Sequence, residues 1–429
     1  MNTAEIDGAP TAASPASGPR SVWDVLGQAP AEAQLQRAVA HHRLGHTMIF
    51  AGPEGVGKFR TALALAKTCL CDHPVITHNA QALPNLPPGA PIKTFCNHCE
   101  ACHAVDGGVH PDVHVITRDL IRYHDRGGKS KGTTLSIQVI RGEITGNDNP
   151  DAPAEAKIYK RPARGPSKWF IIDEAHLMEI PAQNSLLKTL EEPPPNSYLV
   201  LLTVAPEDLL STIRSRSQVV PFHPLPEKLI AAALSQRGLP ADTVAVISHI
   251  AQGSLGAALK FSDDLTLIEK ENEAADKPTK KPPEKPGAKT EDKRPFTPGG
   301  VVAWSAEIAR LLDALISGRT GATALAEALL GFSGEFADLA LLRDPLASKD
   351  RAARDGLILL LRIAADHLAT HLRRQLAAGA DTEACDCYLE LIEQARQAES
   401  QIDRNAHIPM ALAALTHAWE SCCVINAVR

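Results

Sequence analysis

Through roughly the first 220 residues, short apolar runs alternate with stretches of helical period, the pattern of strands buried in a parallel sheet with helices packed on it. His46–Ala51 (HTMIFA), His114–Ile116, Trp169–Asp173 and Tyr198–Thr203 read as buried strands. Lys58–Cys71 reads as a helix whose apolar positions are Leu63, Leu65, Ala66 and Leu70. Residues 227–262 predict a small helical subdomain. Residues 301–429 are Ala/Leu-rich and helical in period, as in Ile308–Ile316. The fold class expected is an α/β P-loop module, a parallel sheet with flanking helices and a small helical lid, followed by an all-α C-terminal domain. The domains fall at 21–225 (α/β), 226–265 (lid) and 301–429 (helical), and no repeat of fixed period is visible.

Two segments break the pattern. Residues 1–20 are rich in Ala, Pro and Ser, offer almost nothing to bury, and read as a disordered tail. Glu271–Arg294 holds 13 charged residues in 24, with four prolines and no Leu, Ile, Val or aromatic residue. Its six acids and seven bases nearly cancel, so 266–300 is expected to be a solvated linker rather than a basic arm. The segments 72–95 and 145–166 read as extra loops.

Composition narrows the class. The 429 residues carry a net charge of −6, which excludes a polybasic nucleic-acid coat. Residues 301–429 hold 12 bases against 17 acids, so most of that charge lies in the helical end. No apolar run approaches the ~20 residues a membrane span needs, and the N-terminus lacks the apolar core of a signal peptide. A cytoplasmic protein with no membrane partner is the expectation.

Five of the nine cysteines lie between positions 69 and 102. Cys96-Asn-His-Cys99-Glu-Ala-Cys102 spaces three thiols by two residues each, and a tetrahedral zinc ion needs one more ligand. Cys71, at the end of the Lys58 helix, is the best fourth; Cys69 is its main rival, with His73, His98 and His103 behind. All-sulfur ligation leaves no open coordination position, so the zinc is expected to be structural. Segment 72–95 would simply loop out between the ligands. Cys385, Cys387, Cys422 and Cys423 lie on helical stretches and read as buried small hydrophobes.

Gly52-Pro53-Glu54-Gly55-Val56-Gly57-Lys58-Phe59 follows a strand and opens a helix, the context of a phosphate-binding loop. Glycines let the backbone wrap round phosphates, successive N–H groups favour the anion, and Lys58 reaches the terminal phosphates. Phe59 stands where a Ser or Thr hydroxyl would hold Mg²⁺, and a phenyl ring cannot ligate a hard cation. The site is therefore degenerate: it can take ATP or ADP, or nothing, and its own ATPase is expected to be absent or weak. Asp173 and Glu174 end the Trp169 strand, where such proteins place a metal-bound Asp and a water-orienting carboxylate. Asp-Glu-Ala-His also invites a helicase reading, but no second helicase-type core domain follows.

The order of these elements, with His110-Pro111-Asp112, Ser185-Leu-Leu-Lys188-Thr-Leu-Glu191-Glu192-Pro193-Pro194 and Ser215-Arg216-Ser217, resembles the bacterial DNA polymerase III clamp-loader AAA+ family. The likeness is greatest to its delta-prime type and covers roughly residues 22–260. It implies an AAA+ module with a zinc element at 71–102 and a C-terminal collar. It also implies a role in DNA replication, in a hetero-oligomer with clamp-loader ATPase subunits, a delta subunit, the sliding clamp and primed DNA. Arg216 corresponds to the arginine that such subunits project into a neighbour's ATP site, although Ser217 replaces the usual Cys; Arg214 is the nearest alternative. Thr203 corresponds to the first sensor position. The second sensor's arginine is missing from Gly253-Ser254-Leu255-Gly256-Ala257-Ala258. Two alternatives remain: an active clamp-loader ATPase of the gamma/tau type, and a zinc-dependent nucleic-acid-binding module on a relic ATPase fold.

Overall fold

The computed structural model describes residues 23, 25–79, 83, 86–124, 134–146, 155–275, 296–345, 347–379, 382–403 and 406–427. The expected tail at 1–20 lies outside them. The chain opens with α1 (Ala29–Ala40), β1 (Thr47–Ala51), α2 (Lys58–Leu70), β2 (Val75–His78), β3 (Pro91–Thr94), α3 (Glu100–Asp106) and β4 (Val113–Ile116). It continues through α4 (Ile121–His124), α5 (Ile137–Ile140), β5 (Lys168–Ile172), α6 (Ile180–Glu191), β6 (Ser197–Thr203), α7 (Ser211–Arg214) and β7 (Gln218–Pro221). Then come α8 (Glu227–Ser235), α9 (Ala241–Ile250), α10 (Leu255–Ala275), α11 (Gly300–Ile316), α12 (Ala322–Arg343), α13 (Lys349–Ala377), α14 (Thr382–Asp403) and α15 (Ile408–Ala427).

β4, β5, β6, β1 and β7 form, in that order, one parallel sheet. Its central strands read as continuous apolar runs because helices cover both faces. One face packs Ile49, Phe170, Ile172, Leu199 and Leu201 against Leu186 and Leu190 of α6 and Val139 and Ile140 of α5. On β1, Phe50 lies 5.2 Å from the Phe222 ring. This is the parallel sheet with flanking helices that the sequence pattern implies. The edge strand β7 escapes sequence reading because it is four residues long and partly exposed, so it carries little apolar signal.

The segment 72–95 does not simply loop out. β2 and β3 pair antiparallel, from Val75↔Thr94 to His78↔Pro91, and Gln36 of α1 clamps the ribbon by exchanging hydrogen bonds with the Lys93 backbone (2.9 and 3.1 Å). Exposed Val75 and Ile76 on one strand leave no hydrophobic alternation to read. Within 145–166, Lys157–Tyr159 forms a 3-10 turn that buries Ile158 in the core; residues 147–154 lie outside those described.

Buried Asp112 holds the end of that segment. Its carboxylate accepts N–H groups of Ala163 (2.5 Å), Arg164 and Gly165 (both 2.8 Å). Burial alone would raise its pKa, but those three donors and the positive charge of His110 outweigh burial and hold the carboxyl below its ordinary value. Asp112→Asn should destabilise the chain by about 2–3 kcal/mol at neutral pH, since a charge-assisted clasp is lost and an amide is set against N–H donors. Because the folded pKa is depressed, the contribution is complete above about pH 4 and vanishes as pH falls through the lowered value. Chemical denaturation of both proteins should therefore give a gap that closes in acid.

The chain divides into two compact units, Met1–Ile230 with Gly253–Gly256, and Ala231–Gln252 with Ala257–Arg429. In the second unit α11–α15 are amphipathic helices around Trp304, Leu312, Leu357, Leu368 and Trp419. Gly356 lets α13 approach α12, since a Cβ there would lie 2.9 Å from Phe336. α10 runs ten residues past Leu265 to Ala275, so the start of the expected linker is helical: Glu269, Lys270, Glu271 and Glu273 are charged yet favour helix. Residues 276–295 lie outside those described. Cys385 and Cys422 are buried as expected, and half-buried Cys387 lies 3.3 Å from Cys422, sulfur to sulfur; the Cys423 side chain is not described. No helix among the described residues is long and apolar enough to cross a membrane.

Candidate functional site

Parallel pairing in register brings the carboxyl ends of β1, β6 and β5 side by side, where ligands of open α/β sheets bind. Ala51 pairs with Thr203, and the Gly52 N–H donates to the Thr203 carbonyl at 3.1 Å. The loop from Gly52 to Gly57 then turns into α2, with Gly57 left-handed (φ 104°) at its cap. A Cβ on Gly57 would press to 2.8 Å from Val25, so glycine is required there twice over. The Lys58 ammonium donates to the Gly52 and Pro53 carbonyls at 2.6 and 2.5 Å. Burial lowers its pKa to about 8 against the opposing pull of Asp173 and Glu54. The Thr203 hydroxyl accepts the Ala205 N–H at 3.1 Å and keeps its proton free to donate.

The acid pair is divided in its company. Asp173 accepts the Glu174 N–H at 2.9 Å. Glu174 sits in the left-handed region (φ 50°), an uncommon place for a side-chain-bearing residue and one that clusters at functional sites. Its carboxylate pairs with Arg118 Nε at 3.0 Å. Burial, helped by Asp173, Glu54 and Asp119, raises its pKa to about 7 despite Arg118. The carboxylate that would orient water is thus both engaged by a cation and easily protonated. Sequence reasoning missed Arg118, which lies just beyond β4 in a short 3-10 turn with no motif to mark it.

Gly253–Gly256 returns to this end of the sheet and packs backbone to backbone on the phosphate loop. The Gly256 N–H donates to the Gly55 carbonyl at 2.9 Å, and a Cβ on Gly256 would lie 2.8 Å from the Gly55 Cα. A Cβ on Gly55 would strike the Ser254 hydroxyl. The contact leaves no room at Gly256 for a side chain.

Arg216 follows α7 on the surface. Its guanidinium pairs with Glu191, at the end of α6, at 3.1 Å and donates to the Thr212 carbonyl at 3.2 Å. The side chain remains 39% exposed. Pro193 and Pro194 stop α6 just after Glu191. Ser217 in place of Cys donates its hydroxyl to the Ile213 carbonyl at 2.7 Å and so closes the short helix.

The sulfurs of Cys71, Cys96, Cys99 and Cys102 all lie within 4.8 Å of one another. Cys71 is 3.6 Å from Cys96, 3.9 Å from Cys99 and 3.6 Å from Cys102, and Cys96 is 4.0 Å from Cys102. Four sulfurs at about 2.3 Å from one tetrahedral zinc ion would stand about 3.8 Å apart, so the donor set fits that metal. Cys69 is not among the four, and Cys71 is. N–H groups of Cys96 and Cys102 point at the Cys71 and Cys99 sulfurs (3.3 and 3.4 Å). Lys67 bonds Asn97 and Asp106 beneath the cluster (2.7 and 2.6 Å) and lies over the Phe95 ring. Arg164, in the loop that Asp112 clasps, reaches Glu100 of α3 at 2.6 Å.

Residues 27–226 match the family model described as DNA polymerase III, delta subunit. The delta-prime subunit of DNA polymerase III from Bacillus subtilis is 30% identical over 216 residues, 50% of this chain and 54% of that protein. Its Escherichia coli counterpart is 28% identical over 229 residues, 52% and 58% of the two chains. Residues 27–226 are thus similar to the clamp-loader subunits of bacterial DNA polymerase III. The B. subtilis DNA polymerase III subunit tau is also similar, 28% identical over 264 residues, 58% of this chain and 40% of tau. The chain thus spans about half the length of these clamp-loader relatives, or less. A Thermotoga maritima protein related to the gamma subunit aligns over 79% of this chain and 98% of its own, at 18% identity and a TM-score of 0.33.

Proposed function

We propose that this chain is a delta-prime-like subunit of a clamp loader, which takes part in ATP-driven loading of a sliding clamp onto primed DNA without hydrolysing ATP itself. The observation that carries the reading is an asymmetry between two sites on one domain. At the carboxyl end of the sheet three devices for hydrolysis are compromised: Phe59 replaces the metal-holding hydroxyl, Arg118 engages Glu174, and no arginine lies in the 253–258 stretch beside the phosphate loop. Arg216, by contrast, is exposed and steadied by Glu191. A guanidinium supplied in trans stabilises charge on a transferring phosphoryl group and needs no catalytic site of its own.

In this reading the partners are the clamp-loader ATPase subunits, the delta subunit, the clamp and primed DNA, joined in a cytoplasmic hetero-oligomer. Residues 226–265 serve as the lid and 301–429 as the collar. Cys71, Cys96, Cys99 and Cys102 hold one structural zinc, which when bound offsets part of the charge of four thiolates and cross-links α2 to the turn before α3. Gly52–Phe59, Asp173, Glu174 and Thr203 make a degenerate nucleotide cradle whose occupant, if any, is ATP or ADP held without turnover.

The isolated chain should release no phosphate from ATP. Phe59→Thr alone should not restore turnover, because restoring one metal ligand leaves the Arg118–Glu174 pair and the closed Gly55–Gly256 contact in place. Steady-state phosphate release checks both. Turnover by the wild-type chain that disappears in Lys58→Ala would move the protein to the gamma/tau type of ATPase, to which the likeness with tau also points.

A further inference from the structure

We propose that Asp313, His367 and His371 form a second metal site, which takes one divalent transition-metal ion of the zinc class and fastens α11 to α13 in the helical unit. His367 and His371 stand four residues apart on α13, so their imidazoles share one face of the helix. Asp313 meets them from α11. Both Nε2 atoms converge on the same carboxylate oxygen, His367 at 3.0 Å and His371 at 3.3 Å, and the three ligand atoms all lie within 4.8 Å of one another. With metal–ligand bonds of about 2.0–2.1 Å, two ligands of one tetrahedral ion stand about 3.3 Å apart. Both carboxylate–imidazole separations are therefore already close to the spacing an ion would impose.

The donor set selects the metal. Two neutral imidazoles and one carboxylate suit zinc and its neighbours, and are poor ligands for calcium or magnesium, which want an oxygen shell. The ligands are between 22% and 45% exposed, so an ion enters from solvent and completes its shell with water. The surroundings restrain the rings: the two imidazole centroids are 4.7 Å apart, and Tyr388 of α14 stacks on His371. Next to His367, Asp366 is bound at 2.6 Å by His249 of α9, which fixes this stretch of α13 from a further side. The site is chemically distinct from the four-cysteine cluster, since it contains no sulfur. Sequence reading passes over it because 54 residues separate the aspartate from the first histidine.

Titration of the full-length, zinc-depleted chain with Zn²⁺, followed by metal analysis and calorimetry, tests the site. Wild type should take two equivalents, and His371→Ala and Asp313→Asn one each. Asp313→Asn keeps the size of the side chain and an acceptor for both histidines, so a loss of binding there reads ligation and not fold. Co²⁺ separates the two sites by spectrum: the four-cysteine equivalent carries thiolate charge-transfer absorption, and the second adds only weak ligand-field bands. Melting of wild type should shift upward with the second equivalent, and the shift should be absent in both variants. A single equivalent in wild type, a second equivalent that survives Asp313→Asn, or one that carries thiolate absorption would each overturn the proposal and leave a hydrogen-bonded brace between α11 and α13.

Discussion

Cys99→Ser in the full-length chain is expected to abolish thiolate-bound metal and to unfold residues 95–106 while the parallel sheet survives. The four sulfurs sit 3.6–4.0 Å apart wherever a separation is resolved, and structural zinc of this kind contributes on the order of 10 kcal/mol to isolated metal-dependent folds. Here the effect is local. α3 is seven residues long, too short to stand in water alone, and buries only Ala101, Cys102 and Val105. The ribbon of β2 and β3 has its own small cluster of Ala33, Leu83, Leu86 and Ile92 and the clamp from Gln36, so it should outlast the cysteines. Loss of the Co²⁺ charge-transfer band with new protease cleavage between 95 and 107 is the predicted outcome. A metal-free chain that resists cleavage there would contradict it.

Much of this was legible in the sequence because the signals were local and chemically demanding. A glycine loop between a buried strand and a helix has few alternative meanings, and three cysteines at two-residue spacing have fewer. The sequence left Cys69 and Cys71 in competition; the fold groups Cys71 with the other three, since α2 ends at Leu70 and sends Cys71 out in extended conformation toward Cys96. What could not be read depends on residues distant in sequence or weak in pattern. Arg118 meets Glu174 across 56 positions, as the numbering of that ion pair gives. β7 forms a strand only because β1 offers it an edge. Asp112 belongs to a motif that was visible as a string, but its work on the 163–165 backbone was not. In sequence the 253–258 stretch is marked only by its missing arginine, whereas in the structure the lack of a side chain at Gly256 is what permits the contact with Gly55.

Arg216→Ala carries the other large expected effect, and it should appear only in the assembled complex. The isolated variant should fold like wild type, because the Arg216–Glu191 pair is an exposed one and such pairs contribute little to stability. Arginines supplied in trans are worth about 10³–10⁵ in phosphoryl-transfer rate at the site they complete. One ATP site of the complex should therefore fall silent while sites not completed by this chain continue. Glu191→Gln should give a smaller loss, since it removes the steadying carboxylate and leaves the guanidinium. Lys58→Ala, which alters only the degenerate cradle, should leave turnover unchanged.

The most direct measurement is single-turnover ATP hydrolysis by the clamp-loader ATPase subunits reconstituted with the delta subunit, clamp, primed DNA and either wild-type chain or Arg216→Ala. Assembly should be matched by mass analysis beforehand. The account predicts an intact complex that loses one site's worth of hydrolysis and loads clamp far more slowly. An intact complex with unchanged hydrolysis and loading would contradict it.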